Sequence, residues 1–233
     1  MSTGKHPPES PTVEPGSGPF ITAALGLGLL AAALALGGFG WLGYQVHSGE
    51  PTAMDLAVRG WVRSLETNGL TDLMWGASVY GAPVRLAPLG LAAAVAFLLR
   101  GWRRGAVLVA VTLGGAVILN TGLKTLFARA RPQAFFDHYP APDSYSFPSG
   151  HALFATCFFG GIAVLMAHRL ESRIGQVLVW FLSLVLIVLI SVSRIYLGVH
   201  YPTDVIGGFA VGVIWVLAVA LGDRAAEHGH LRV

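Results

Sequence analysis

Residues 175–195 read GQVLVWFLSLVLIVLISVSRI, with no ionisable side chain before Arg194. A helix needs about 20 predominantly apolar residues to cross the hydrocarbon core of a bilayer, and this run has that length and character. It has no polar face to turn toward water, so it reads as a membrane span. Five further runs of the same kind stand at 20–41, 80–99, 106–126, 148–167 and 203–221. The chain of 233 residues is 54% hydrophobic and 12% charged, against a charged share of about 25% in ordinary soluble domains. The expected fold is all-α, a polytopic membrane helix bundle with six transmembrane helices.

The polar segments between these runs set the topology. Residues 1–19, with Pro7, Pro8, Pro11, Pro15 and Pro19 among Ser and Gly, read as a disordered tail. Ala33-Leu34-Ala35 resembles a cleavage site, but the run at 20–41 is long for a signal peptide and reads as a retained span. Pro83, Arg85 and Pro88 predict a bend at the start of the run at 80–99. Between 54 and 65, Met54, Val58, Trp61, Val62 and Leu65 fall at helical spacing, with Asp55, Arg59, Arg63 and Glu66 on other faces. That pattern predicts an amphipathic helix in the membrane interface, either gathering lipid or packed on the spans as ordinary scaffold, and stopped at Asn68-Gly69.

Arginines gather at 100–104, at 168–173 and in the tail with Arg224 and Arg232. The positive-inside rule places all three in the cytoplasm together with the N-terminal tail. The chain then divides into a cytoplasmic tail at 1–19, a membrane domain at 20–222 and a cytoplasmic tail at 223–233. This topology accounts for the net charge of +3, so no nucleic-acid partner is implied. Cys157 is the single cysteine and can form no intramolecular disulfide. Lysine is confined to Lys5 and Lys124 while arginine is plentiful, a hint of a GC-rich bacterial genome. His168, His228 and His230 read as cytoplasmic surface residues. Asp137, His138 and Asp143 read as solvated loop residues and not as metal ligands. Phe135, Phe136, Tyr139 and Tyr145 read as an interfacial aromatic belt.

Three polar clusters fall on the outward face: Lys124 with Arg129, Arg131 and Pro132; Ser146 with Pro148, Ser149, Gly150 and His151; Ser193 and Arg194 with His200 and Asp204. Ionisable residues at membrane depth are costly and mark function. Lys124, Arg131 and Arg194 supply cations suited to the spread charge of a phosphate. Pro148 suits the first position of a helix with Ser146 as its cap, leaving the N–H groups of Ser149 and Gly150 facing outward at an anion-binding helix start. His200 and Asp204 are four residues apart, so the carboxylate can orient the imidazole for nucleophilic attack. His151 is then left as the general acid.

The pattern Lys-x6-Arg-Pro, Pro-Ser-Gly-His and Ser-Arg-x5-His-x3-Asp resembles the signature of the type 2 phosphatidic acid phosphatase family. Its superfamily also holds bacterial non-specific acid phosphatases and vanadium haloperoxidases. The resemblance runs through Lys124, Arg131, Pro132, Pro148, Ser149, Gly150, His151, Ser193, Arg194, His200 and Asp204 in order. It implies an acid phosphatase/haloperoxidase-like helical core and a phosphohistidine formed on His200, oriented by Asp204. His151 would protonate the leaving group, and Lys124, Arg131, Ser149, Gly150 and Arg194 would hold the phosphoryl oxygens. No metal and no cofactor are implied. Arg129 matches an additional arginine frequent in the first motif, and Ala130 stands where many members have proline.

The implied substrate is a lipid phosphate or diphosphate taken from the bilayer: undecaprenyl diphosphate, phosphatidic acid or phosphatidylglycerol phosphate. The implied location is a bacterial cytoplasmic (inner) membrane, with the site facing the periplasm. The alternatives are transfer of the phosphoryl group to a second lipid, vanadate-dependent halide oxidation, and a membrane protein with an inactive site. Six spans argue against the haloperoxidase reading, whose known relatives are soluble. The sequence sets no oligomeric state.

Overall fold

A computed structural model describes residues 19–137, 139 and 142–230, and every described element is helical. Residues 1–18, 138, 140, 141 and 231–233, among them His138 and Arg232, and the side chains of 19–25 and 228–230, among them His228 and His230, fall outside what is described. The order is α1 (Pro19–Val46), α2 (Ala53–Ser64), α3 (Asn68–Tyr80), α4 (Pro83–Leu99), α5 (Arg103–Phe127), α6 (Gly150–Ala155), a π turn (Thr156–Gly160), α7 (Gly161–Ala167), α8 (Arg173–Tyr196) and α9 (Pro202–His230). Five stretches are long and apolar enough to cross a membrane: Gly26–Val46, Arg103–Phe127, Gly150–Ala167, Arg173–Tyr196 and Pro202–Glu227. Helices α3 and α4 pass the same test only together, as a pair bent by 52°, so the described residues hold five candidate spans, or six where that pair counts as one broken span.

The run that opened the reading is built inside out. In α8 the buried stripe is Ser183, Ile187, Ile190, Ser191 and Arg194, whereas Val177, Leu178, Phe181, Leu182 and Val185 point outward. Hydrocarbon outside the bundle is as apolar as leucine, so small and polar residues can take the interior positions and approach closely. The contact of α6 with α9 works the same way. A methyl group on Gly208 would come within 2.4 Å of the Ser149 carbonyl oxygen, and one on Gly212 within 2.6 Å of Thr156 Cβ. These two glycines bring the start of α9 against the start of α6, where two of the polar clusters lie.

The bend between α3 and α4 has a local cause. Pro83 has no N–H to offer the Val79 carbonyl, and the residue before a proline avoids helical backbone. Ala82 is accordingly extended, and the Arg85 guanidinium donates to the Val79 carbonyl in place of the lost bond. The expected bend is present, but it falls at the junction of two helices. Asn68-Gly69 does not stop a helix as expected. Thr67 caps α3 by accepting from the Leu70 N–H at 3.3 Å, and Asn68 and Gly69 form its first turn.

Two further boundaries differ from the reading. Helix α1 runs on to Val46, because Leu42 and Val46 pack with Phe39 against the buried Phe147. Helix α9 continues beyond residue 222 to His230. There Asp223 and Glu227, one turn apart, both pair with Arg104 at the start of α5. The onset of charge marked the end of the apolar run but not of the helix.

Helix α2 packs on the spans, the second of its two expected roles, but buries a charge in doing so. Met54 and Trp61 are exposed as an interfacial helix requires. Asp55, expected on a solvated face, is instead fully buried, and Val62 is buried with Met74, Phe136 and Tyr196. The inner side of α2 is docked on the ends of α8 and α9.

Candidate active site

The three polar clusters meet at one end of the bundle, built around the turn from α8 to α9. Helix α8 ends at Tyr196, and Gly198 turns the chain with φ +76°, in the left-handed region. A methyl group there would lie 2.7 Å from the Phe135 backbone nitrogen, so glycine is required on two counts. His200 follows, and Pro202 opens α9 with Asp204 in its first turn.

His200 and Asp204 are buried, with Nδ1 of the imidazole 3.3 Å from Oδ2 of the carboxylate. The same oxygen accepts from the Tyr201 N–H at 2.8 Å and from the Ser146 hydroxyl. On the other side of the ring, Arg131 Nη1 lies 2.9 Å from His200 Nε2. A guanidinium only donates, so this contact assigns the lone pair to Nε2 and the proton to Nδ1, facing Asp204. Burial first, then the charges of Arg131, Arg194 and Lys124, pushes the His200 imidazole well below its ordinary range. A histidine held neutral with Nε2 unprotonated becomes a competent nucleophile once Arg131 yields that lone pair.

The cations are anchored by the backbone around them. Arg131 donates from Nε to the Ser144 carbonyl at 2.6 Å and from Nη1 to the Val199 carbonyl at 2.9 Å. Lys124 donates to the Tyr145 carbonyl, and Arg194 donates from Nη1 to the Ser78 hydroxyl. Ser78 also takes the Tyr139 hydroxyl at 2.9 Å, and its carbonyl oxygen lies 3.2 Å from His151 Nε2. Among the described residues, Ser149 Oγ and Arg194 Nε are buried without a hydrogen-bond partner. Both atoms are donors, as an anion site needs.

The second cluster is arranged differently from the reading. Gly150 is the first residue of α6, Ser149 is its N-cap, and Pro148 precedes the helix. The Ser149 N–H is taken by the Asp204 carbonyl at 2.9 Å, so the group Ser149 offers is its hydroxyl. Ser146 does not cap the helix, because its hydroxyl is held by Asp204. The N–H groups of Gly150 and His151 belong to the first turn of α6 and have no intrahelical acceptor.

Against this geometry the comparisons with known proteins are decisive. The family model described as the PAP2 superfamily matches residues 105–226, which hold all three clusters. Phosphatidylglycerophosphatase B of Bacillus subtilis is 31% identical over 176 residues, covering 74% of this chain and 85% of that protein. The chain belongs to the PAP2 superfamily. An undecaprenyl-diphosphatase of Sulfolobus acidocaldarius is 31% identical over 147 residues, covering 61% of this chain and 66% of that protein. The crystal structure of the transmembrane PAP2-type phosphatidylglycerolphosphate phosphatase from Bacillus subtilis superposes with a TM-score of 0.72 at 30% identity, covering 83% of this chain and 96% of that one.

Around the motif residues of this PAP2 protein, the structure gives Arg129, which the motif had left without a role, a set of partners, and it adds residues that the motifs do not contain. Arg129 is fully buried between Asp55 of α2, at 2.9 Å, and Asp204 of α9, at 2.7 Å. Asp55 fits an ordinary capping box with Thr52, which gave no sign of a second partner. Ser78 sits in an apolar segment with no motif around it, and nothing in the sequence marks it. Arg59 donates to the carbonyls of Gly198 at 2.8 Å and Gln133 at 3.0 Å, and so clamps the turn that carries His200.

The aromatics of the 132–145 segment are not a belt. Phe136 stacks on Tyr196, Phe135 lies under the Arg59 guanidinium, and the Tyr139 hydroxyl holds Ser78; Tyr145 is the exposed one. Asp137 and Asp143 are exposed. Asp143 lines, with Asn120, Thr121, Lys124, Thr125, Ser144 and Tyr145, a cavity of about 590 Å³ that opens beside Lys124.

Proposed function

We propose that the protein hydrolyses the phosphate ester or anhydride of a membrane lipid through a phosphohistidine on His200. The observation that carries this reading is the buried imidazole with its Nε2 lone pair toward Arg131 and its Nδ1 proton toward Asp204. In the first step Nε2 attacks phosphorus, an N–P bond forms, and the bond to the lipid oxygen breaks. His151 gives its proton to the departing oxygen. In the second step water gives a proton to His151, its oxygen bonds to phosphorus, and the N–P bond breaks to release phosphate. Arg131 withdraws from Nε2 as the phosphoryl group arrives and, with Lys124, Arg194, Ser149 and Gly150, takes up the charge of the equatorial oxygens. The residues supply the charge neutralisation that metal ions give in other phosphoryl-transfer sites.

The cavity that opens beside Lys124 supports approach of a polar head group from that side. The relatives named for phosphatidylglycerophosphate and undecaprenyl diphosphate support substrates of those classes, with phosphatidic acid as the third candidate. Phosphate release by purified protein in detergent from a panel of these lipids tests the reading. Phosphate appearing in a second lipid and not in water would instead establish a transferase. His151→Ala is expected to slow release from a simple alkyl phosphate roughly 100-fold or more, but a nitrophenyl phosphate far less, because that leaving group needs little protonation. Equal losses on both would remove His151 from the general-acid role.

The arginine-rich turns and the C-terminal end of α9 support a cytoplasmic end opposite the site, and hence an active site on the outer face of a bacterial inner membrane. A cysteine at Asp143 is expected to react with a membrane-impermeant thiol reagent in intact spheroplasts, and one at Arg103 to stay unlabelled. The reverse pattern would turn the site to the cytoplasm.

A further inference from the structure

Asp204 has two carboxylate oxygens with separate tasks. Oδ2 faces His200 Nδ1, while Oδ1 takes Arg129 Nη1 at 2.7 Å. Rotation of the carboxylate would break the second contact, so Arg129 on Oδ1, together with the Tyr201 N–H and the Ser146 hydroxyl on Oδ2, sets the plane in which the first is made. Arg129 in turn has both terminal nitrogens occupied away from the phosphate site. Nη1 also donates to the Thr203 hydroxyl at 2.7 Å, and Nη2 donates to Asp55 Oδ2 at 2.9 Å and the Glu50 carbonyl at 3.1 Å. Its guanidinium carbon lies 4.2 Å from the Tyr201 ring centre.

Asp55 is fixed as firmly. Its Oδ1 accepts from the Thr203 N–H at 2.9 Å, and its Oδ2 accepts from the Thr52 N–H at 3.1 Å in the capping box of α2. Asp55, Arg129 and Asp204 are each 0% exposed. A cation buried between two carboxylates is retained at a cost in desolvation, and its contribution is sought in geometry before stability.

We propose that Arg129, held by Asp55, is a positioning residue for the nucleophile, fixing Asp204 so that it orients His200 during phosphoryl transfer. Helix α2, which carries none of the motif residues, thereby becomes part of the catalytic apparatus. The proposal rests on the phosphatase reading above. It also separates Arg129 from Arg131: the second binds phosphate, and the first binds the residue that orients the nucleophile.

The test compares kcat, KM and thermal unfolding of wild type, Asp55→Asn, Arg129→Gln and the double variant in detergent, with a nitrophenyl phosphate ester as substrate. Turnover by the wild type is the control for the phosphatase reading, and its absence would count against that reading alone. Each single variant is expected to unfold at lower temperature and to lose kcat roughly 10- to 100-fold, the range for residues that orient a reacting group through another. KM should stay within about twofold, because Lys124, Arg131 and Arg194 are untouched. In the double variant Asp204 still lacks its cation, so unfolding should recover only in part relative to Arg129→Gln, through the second carboxylate that Asp55→Asn neutralises, while kcat stays low. Recovery of kcat together with stability would make the pair structural only and overturn the proposal. Should the double variant not fold, Asp55→Asn decides, since it keeps the side-chain shape and an oxygen for Thr203. A folded Asp55→Asn protein with kcat within about twofold of wild type would equally overturn it.

Discussion

His200→Ala is expected to abolish phosphate release, with kcat falling by roughly four to six orders of magnitude, the scale seen when a member of a nucleophilic catalytic unit is removed. Among the described residues, no other imidazole is placed to replace it. His151 Nε2 is turned to the Ser78 carbonyl, and His168 lies at the far end of the bundle beside Arg224. The variant should nevertheless fold. The contacts that hold the start of α9, from Asp55 to Thr203 and from Arg129 to Asp204, do not pass through the imidazole. The loss of its packing should cost only about 1–3 kcal/mol. Phosphate release in detergent, with thermal unfolding on the same preparation, checks both halves. Retention of more than about a tenth of wild-type activity by folded protein would remove His200 from the mechanism.

Asp204→Asn is expected to have the second largest effect, and to act twice. The carboxylate accepts four hydrogen bonds: from Arg129 on Oδ1, and from His200, Tyr201 and Ser146 on Oδ2. A carboxamide of the same shape has one accepting end. If its oxygen stays with Arg129, its NH2 group meets His200 Nδ1 and forces the proton to Nε2, which removes the attacking lone pair. The loss of kcat for a wrong tautomer is roughly 10⁴-fold in comparable histidine–aspartate pairs. If the amide turns the other way, its NH2 group opposes the Arg129 guanidinium. In either case half of the buried arginine's compensating charge is gone, and a destabilisation of up to about 3 kcal/mol should accompany the loss of activity. Wild-type stability with full activity would show that the carboxylate serves neither partner.

Which residues gather at the candidate site was more legible in the sequence than how the chain holds them there. Runs of apolar residues follow from the bilayer as solvent, so the spans could be read from length and composition alone. The three clusters could be read because catalysis confines residue types to fixed local spacings, as with His200 and Asp204 on one helical turn. Asp55 escaped because its capping box with Thr52 is a complete local explanation, while its decisive partners Arg129 and Thr203 lie more than 70 residues away. Ser78 escaped for the opposite reason: a lone serine in an apolar segment has no local signal at all. The end of α9 was missed because charge marks the membrane boundary, whereas Asp223 and Glu227 continue the helix by pairing with Arg104. The start of α6 was misplaced by two residues because Pro148 is a good first helical residue in isolation. The tertiary bond from the Ser149 N–H to the Asp204 carbonyl instead sets the cap at Ser149.

The covalent intermediate is the central claim, and rapid acid-free quenching with a ³²P-labelled lipid phosphate tests it most directly. The account predicts protein-bound label within the first turnover that is stable to alkali, lost in acid, and carried on the peptide containing His200. His200→Ala should carry none, and with a labelled nitrophenyl phosphate, whose departure needs little protonation, His151→Ala should accumulate more label, because the intermediate lacks the base that activates water. Steady turnover with no protein-bound label, or label that survives acid, would contradict it.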